Sequence, residues 1–141
     1  MAIKISSGHL AEIRKHGEET YPYECCGLLL GKEQAGVKVL QAVRRVENSR
    51  EDSRHNRYLI PPQEIVRGER YARENGMDVI GFYHSHPDHP ARPSGYDLDH
   101  AWPWYSYIIV SIEQGKAADL NSWLMQEDRT GFDQEEIIKE G

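Results

Sequence analysis

The chain begins with an alternation of apolar and polar residues, followed by apolar residues at helical spacing. The alternation over residues 3–5 predicts a short strand. Residues 6–21 carry Leu10 and Ile13 on one helical face, start with serines that can cap a helix, and end before Pro22. We therefore expect a strand and then a helix.

The next segments have the composition of buried strands. Residues 26–30 form a short apolar run that Gly31 ends, and the valine-rich residues 37–46 form a second run. Residues 48–57 carry only polar side chains, which predicts a mobile loop. This part of the chain is therefore expected to form two strands followed by an irregular connection.

A second helix and a central strand follow. The two prolines at 61–62 are typical of a helix start, and the Asn-Gly pair at 75–76 is typical of a helix end. Residues 77–83 are apolar at both alternating positions, apart from Asp78. That pattern indicates a strand covered on both faces, and Pro87 stops it because proline cannot donate to a neighbouring strand.

The last third of the chain predicts one short helix and two more strands. The helix runs from Ser94 towards Trp102, and the strands cover residues 105–112 and 120–125. From about residue 131 onward we expect a flexible tail. Strands that alternate with helices indicate an α/β fold.

Size and charge limit the classes of function. A chain of 141 residues has the size of a single domain, here residues 1–141. The net charge of −6 disfavours nucleic acids and anionic membranes as partners, because both favour a basic surface. No apolar run is long enough for a membrane span, and no signal-peptide pattern follows Met1. We therefore expect a cytoplasmic protein.

Two pairs of residues are expected to be structural. The adjacent Cys25 and Cys26 cannot build a disulfide framework, which also fits a reducing compartment, and at least one should pack in the core. Trp102 and Trp104 are expected to pack in the core and at a helix end rather than against a substrate.

The candidate chemistry lies in the segment His84-Ser85-His86, at the carboxyl end of the predicted central strand. Because residues two apart on a strand point to the same side, His84 and His86 can direct both imidazoles to one point. Asp97 follows a turning loop and can add a carboxylate. Two imidazoles and one carboxylate suit Zn²⁺, and three protein ligands leave a fourth position for water, as in catalytic sites.

Other interpretations of these residues are open. A single histidine is more often an ordinary surface or core residue than a ligand. Ser94 and Asp97 also fit the capping-box pattern that starts a helix, although a cap can hold both residues rigidly at a site. Several further residues of ligand type lie nearby: Asp88, His89, Asp99 and His100.

The pattern H-x-H-P-x₆-S-x₂-D, which runs from His84 to Asp97, resembles the signature of the JAMM (MPN-plus) zinc metallopeptidase family. Glu24, followed by a glycine-ended apolar strand, is similar to the upstream glutamate of that family. The compact chain is most similar to the prokaryotic members. The resemblance implies an α/β fold of cytidine-deaminase-like architecture, a mixed β-sheet flanked by helices. It does not imply deamination, because the H-x-E and P-C-x-x-C motifs are absent.

The resemblance also implies a role for each motif residue. His84, His86 and Asp97 would bind one zinc ion. Glu24 would take a proton from the attacking water and return it to the leaving amine, as general base and then general acid. The Ser94 hydroxyl would donate to the oxyanion of the tetrahedral intermediate. The implied reaction is amide hydrolysis without a covalent intermediate.

The same resemblance implies a class of substrate. Members of the family cleave amide bonds after the C-terminal Gly-Gly of ubiquitin or ubiquitin-like proteins, and compact prokaryotic members are associated with small sulfur-carrier proteins. We therefore expect a protein partner whose tail ends in Gly-Gly. The alternatives are a zinc hydrolase of a small-molecule amide and a non-catalytic scaffold. The complete motif disfavours the scaffold.

Overall fold

The strands of the computed structural model form one sheet, in the order β1-β3-β2-β4-β5-β6-β7. The structure describes residues 2–47 and 60–141, so the loop predicted for residues 48–57 lies outside the described residues. None of the described helices is long and apolar enough to cross a membrane. The elements are β1 (Ala2–Ser6), α1 (Ser7–Thr20), β2 (Cys26–Gln34), β3 (Val37–Val46), α2 (Pro62–Glu74), β4 (Asp78–Pro87), α3 (Gly95–His100), β5 (Ser106–Glu113), β6 (Lys116–Met125) and β7 (Phe132–Glu140).

The sheet is mixed and closes on itself. β1 lies between β3 and β7 and pairs in parallel with both. β2 pairs antiparallel with β3 and β4, whereas β4 and β5 are parallel. The predicted α/β class is therefore confirmed, while the closure through β1 was not predicted. The cytidine-deaminase-like architecture stays a prediction.

The two faces of the sheet pack against different helices. Leu10 and Ile13 of α1 pack with Leu29 on one face, and Ala72 of α2 packs with Leu28 on the other. Because side chains alternate across a strand, the neighbours Leu28 and Leu29 contact different helices. Burial on both faces explains why this part of β2 has a continuous apolar sequence.

Two predictions about the ends of elements are wrong. Gly31 lies inside β2, at a bulge where the pairing with β3 shifts between Leu30 and Gly31. A Cβ at this position would come within 1.9 Å of the Val39 carbonyl oxygen, so only glycine permits the close approach. The flexible tail expected from about residue 131 is instead strand β7, paired with β6 and β1. The alternation of apolar residues in β7 is weak, because the residue that β7 buries is the charged Glu135.

A buried ion pair accounts for that charged residue. The Nζ atom of Lys38 lies 3.7 Å from Oε2 of Glu135, and both side chains are fully buried. The hydroxyl groups of Ser106 and Ser122 donate to Oε1 of Glu135 over 2.6 and 2.8 Å. The Lys38 ammonium lies 4.9 Å from the centre of the Trp104 indole. These contacts offset part of the cost of removing the two charges from water.

The prediction that Trp102 and Trp104 pack in the core is wrong. Their exposed fractions are 63% and 40%. The Arg129 guanidinium lies 4.9 Å from the centre of the Trp102 indole, and Trp104 Nε1 donates to Glu33 Oε1 over 2.9 Å. Both indoles therefore contact charged side chains at the surface. The prediction failed because it treated tryptophan only as an apolar residue.

Candidate metal centre

The two histidines of the motif lie on β4, the strand between β2 and β5. His84 and His86 are two residues apart and face the same side, with their Nε2 atoms 3.1 Å apart. Both imidazoles are buried. The strand therefore presents both rings to one point near its carboxyl end, as the alternation predicts.

Asp97 completes a group of three ligand-type side chains. Its Oδ1 lies 3.1 Å from His84 Nε2, and its Oδ2 lies 3.3 Å from His86 Nε2. Within residues 2–47 and 60–141 this is the only such group, and its donor atoms all lie within 4.8 Å of one another. A tetrahedral ion with bonds of about 2.0–2.1 Å holds its ligands about 3.3 Å apart. The three side chains therefore fit a single metal ion.

The protonation states of the group also suit a cation. Burial lowers the pKa of His84, although the Asp97 carboxylate opposes that shift. Burial alone would raise the pKa of Asp97, but His84, His86 and the N–H of Ser94 hold it well below its usual range. A neutral imidazole and an ionised carboxylate are the forms that bind metal ions.

The orientation of His86 is fixed by the loop after β4. Its Nδ1 lies 2.8 Å from the carbonyl oxygen of Pro90. A carbonyl oxygen only accepts hydrogen bonds, so Nδ1 carries a proton, and in a neutral imidazole the lone pair is then on Nε2. This tautomer directs the free lone pair of His86 towards the metal position.

Ser94 and Asp97 form the predicted capping box at the start of α3. The Ser94 hydroxyl accepts the N–H of Asp97 over 3.2 Å, and Asp97 Oδ2 accepts the N–H of Ser94 over 2.8 Å. The structural interpretation is therefore correct, and the same bonds hold Asp97 beside the histidines. Because the hydroxyl accepts this bond, its own proton is available to a substrate.

Glu24 lies in a cleft beside the histidines. It lines a cavity of about 350 Å³ together with His86, Arg92 and Ser94, and only 3% of its surface is exposed. Burial, with the nearby Asp97 carboxylate adding to its effect, raises the pKa of Glu24 to about 9. The structure thus places Glu24, His86 and Ser94 around one cleft, and His86 also belongs to the group that includes His84 and Asp97.

Two of the four rival ligands, Asp88 and His100, have other partners. The Asp88 carboxylate accepts hydrogen bonds from the Tyr21 hydroxyl and from the N–H of Gln114. His100 Nδ1 lies 2.8 Å from the Tyr96 carbonyl oxygen, on the exposed side of α3. These residues therefore do not join the metal group.

Ser85 has a role that the sequence analysis missed. Its buried hydroxyl accepts the N–H of Cys25, the residue that follows Glu24. The only signal in the sequence was its position between the two histidines. Cys25 and Cys26 are both buried free thiols, so the prediction that at least one of them packs in the core is confirmed.

Comparison with known families identifies the chain. Residues 6–126 match the family model described as prokaryotic homologs of the JAB domain. The chain belongs to this family. The JAMM resemblance is therefore confirmed, and with it the predicted class of enzyme, a JAMM-type hydrolase.

Curated relatives of this JAB-domain protein include desampylases and a probable conjugate-cleaving protease. A desampylase of Haloferax volcanii is 35% identical over 103 residues, which cover 72% of this chain and 72% of the relative. A probable TtuB-protein conjugate cleaving protease of Thermus thermophilus is 26% identical over 117 residues, covering 83% and 75%. The matched regions contain most of each protein.

Solved structures support the fold. The solution structure of protein DSY2949 from Desulfitobacterium hafniense has a TM-score of 0.86 and 32% identity, covering 98% of this chain and 92% of that one. The structure described as a metalloprotease-like zinc site in the proteasome and signalosome has a TM-score of 0.60 and 20% identity, with full coverage of both chains. The second similarity supports the fold alone.

Proposed function

We propose that this JAB-domain protein is a zinc-dependent isopeptidase. It cleaves the amide bond after the C-terminal Gly-Gly of a ubiquitin-like or sulfur-carrier protein. The observation that carries the proposal is the convergence of His84, His86 and Asp97 on one point, next to a cleft that His86 lines together with the buried Glu24.

The donor set supports one zinc ion per chain. Two imidazoles and one carboxylate with an open fourth position are typical of catalytic zinc sites. When bound, zinc supplies a Lewis acid that polarises a carbonyl group and lowers the pKa of water to about 7. His84, His86 and Asp97 would hold it. The buried free thiols of the chain suit the reducing cytoplasm, where we place the protein.

Proton transfer falls to Glu24. Its carboxyl group lines the cleft and has a raised pKa, so it can accept a proton from the attacking water and return it to the leaving amine. The carboxylate form of Glu24 would be favoured by a cation held at the ligand group, which would lower the pKa of Glu24 towards the working range. The Ser94 hydroxyl donates to the oxygen of the scissile carbonyl as negative charge develops there.

The shape around Glu24 supports a chain-like substrate. Glu24 lines two cavities, one of about 350 Å³ that includes Ser94 and one of about 370 Å³ that includes Tyr23 and Arg45. A carrier-protein tail and the leaving group can occupy one cavity each, with the scissile amide beside Glu24. The relative named for cleaving TtuB-protein conjugates supports a protein conjugate as the substrate.

A pair of conjugates tests the proposal. A ubiquitin-like protein ending in Gly-Gly is joined by an isopeptide bond to a lysine peptide, and a matched conjugate ends in Ala-Ala. Wild type with zinc should cleave only the Gly-Gly conjugate, and His84→Ala should cleave neither. No cleavage by zinc-loaded wild type would contradict the proposal. Equal cleavage of a small acyl amide would favour a small-molecule hydrolase instead.

A further inference from the structure

A single loop joins the two halves of the proposed ligand set. Residues 88–93 connect β4, which carries His84 and His86, to the helix cap that carries Asp97. Any displacement of this loop therefore changes the position of Asp97 relative to the two imidazoles. What holds the loop in place determines whether three ligands meet.

Three consecutive carbonyl groups of this loop accept hydrogen bonds from side chains on three adjacent strands. The bonds are Ser111 Oγ (β5) to His89 O at 2.7 Å, His86 Nδ1 (β4) to Pro90 O at 2.8 Å, and both Asn121 Nδ2 and Trp123 Nε1 (β6) to Ala91 O at 3.1 Å each. The loop is thus bonded to the sheet through its backbone.

The register of the sheet explains how β6 reaches the loop. Asn121 lies opposite Ile109 of β5, and Ile109 lies opposite His84 of β4. Trp123 is two residues beyond Asn121 and therefore points to the same face. The loop crosses this face over β5 and rests on β6, where Ala91 is 3% exposed.

The bonds from β6 act next to the bond that orients His86. The Ala91 carbonyl, which accepts from Asn121 and Trp123, is one peptide unit from the Pro90 carbonyl, which accepts from His86. The peptide planes that carry these two carbonyls share the Cα atom of Ala91, so fixing the Ala91 carbonyl limits how far the Pro90 carbonyl can move. Partners that orient a ligand histidine tune the affinity of the site for its metal.

We propose that Trp123 and Asn121 are positioning residues for the metal centre. Their hydrogen bonds to the Ala91 carbonyl fix the loop that orients His86 and delivers Asp97. This inference rests on the proposed function only in assuming that His84, His86 and Asp97 bind a metal ion. Neither residue contacts the ligands themselves in the bonds described above, so both act through the loop.

Substitutions that remove only the donors test the inference. Trp123→Phe keeps an aromatic ring but removes the N–H, and Asn121→Leu removes the amide. Trp104→Phe is the matched control, because it removes an indole N–H that donates to Glu33 instead. Gln134→Leu controls for Asn121, since it removes the Gln134 bond to Asn121 Oδ1 and leaves the loop bonds in place.

Three measurements are made on each protein. Zinc affinity is measured by competition with a chelator, and the unfolding free energy is measured on the metal-free protein. The absorption spectrum of the cobalt-substituted protein reports the ligand geometry. We expect zinc binding to weaken roughly 10–100-fold in Trp123→Phe and in Asn121→Leu, with an altered cobalt spectrum, as for other partners of ligand histidines. The two controls should bind zinc as wild type does.

The outcomes separate this inference from the proposed function. If wild type binds zinc and both loop variants show the same zinc affinity and the same cobalt spectrum as wild type, the positioning role is overturned. The proposed function then remains intact. A loss of stability in the loop variants without a change in zinc affinity would likewise overturn it. Wild type that binds no zinc would overturn both. If Trp123→Phe fails to fold, Asn121→Leu decides the question alone.

Discussion

The N–H of Cys25 donates to the hydroxyl of Ser85 over 2.8 Å, and the N–H of Ser85 donates back to the Cys25 carbonyl over 3.1 Å. These residues are sixty positions apart in the chain. Cys25 follows Glu24, and Ser85 lies between His84 and His86. The reciprocal bonds therefore fix the proposed proton carrier relative to the proposed ligands.

Ser85→Ala is expected to separate catalysis from metal binding. The substitution leaves the buried N–H of Cys25 without its hydroxyl acceptor, which costs about 1–3 kcal/mol of unfolding free energy. It should lower kcat because Glu24 is less well placed, while zinc content stays at the wild-type level. Zinc analysis, denaturant unfolding and the conjugate assay check this.

Ser122→Ala, at a buried serine that contacts Glu135 instead, should lose stability but keep kcat. An unchanged kcat in Ser85→Ala would leave Ser85 only a structural role.

Ser94→Ala should affect both stability and turnover. Loss of the cap costs about 1 kcal/mol, because the N–H of Asp97 loses its acceptor. Loss of the donor to the oxyanion should lower kcat on the order of 10²–10³-fold. Steady-state kinetics on the Gly-Gly conjugate and thermal unfolding of the same samples measure the two effects. A less stable variant with normal kcat would leave Ser94 as a cap and nothing more.

The parts of this protein that could be predicted from sequence are those with local or apolar signals. His84, His86, Ser94 and Asp97 lie close together in the chain, so their spacing identifies them as one motif. The apolar runs identify β2 and β4, because strands that are buried on both faces of a sheet have nearly continuous apolar sequences. Glu24 has no local pattern that ties it to the histidines, and only the family resemblance selected it.

The parts that could not be predicted depend on contacts distant in sequence. β7 was missed because its buried residue, Glu135, is charged and is stabilised by Lys38 of β3. The surface position of Trp102 depends on Arg129, which follows β6. The bonds from Asn121 and Trp123 to Ala91 depend on the register of β4, β5 and β6. None of these pairings leaves a periodic pattern in either segment.

The buried His16 should make the protein less stable below neutral pH. Its Nδ1 lies 2.7 Å from the Tyr83 hydroxyl, and burial, with Arg45 adding, lowers the pKa of His16 from 6.5 to about 4. Between these two values the unfolded chain binds a proton that the folded chain does not. The unfolding free energy therefore falls as the pH drops through that window, by up to about 1.4 kcal/mol per pH unit.

A variant without the titrating group isolates this effect. Metal-free wild type and His16→Gln are unfolded with denaturant at pH 7 and pH 5. All other titrating groups are common to both proteins. The loss of unfolding free energy between pH 7 and pH 5 in wild type, minus the same loss in His16→Gln, therefore reports the contribution of His16. Wild type should lose more stability than His16→Gln over this interval. Equal losses would show that His16 does not resist protonation in the folded protein.

Glu24→Gln should distinguish an enzyme from a binding protein. The carboxyl group of Glu24 is buried and its pKa is raised to about 9, so in the metal-free protein it is protonated at neutral pH. Glutamine has the same shape and is also neutral. An unfolded chain releases this proton above pH 4.5, whereas the folded chain holds it until about pH 9, which disfavours folding of the wild type in that window. The metal-free variant should therefore be no less stable than wild type at pH 7.

Catalysis should respond differently, because glutamine cannot accept and return a proton. With zinc bound and the fold intact, Glu24→Gln should lose at least the 10²–10⁴-fold in kcat that a general acid–base residue typically supplies. Glu113→Gln, at an exposed glutamate at the end of β5, is the matched control and should keep the wild-type rate. The measurement is the rate of cleavage of the Gly-Gly conjugate, with the zinc content of each sample determined.

Equal rates for wild type and Glu24→Gln would remove Glu24 from the mechanism. A large loss of rate in Glu24→Gln at full zinc occupancy requires a chemical role for this carboxyl group, because glutamine keeps the shape of the side chain and the variant is no less stable than wild type.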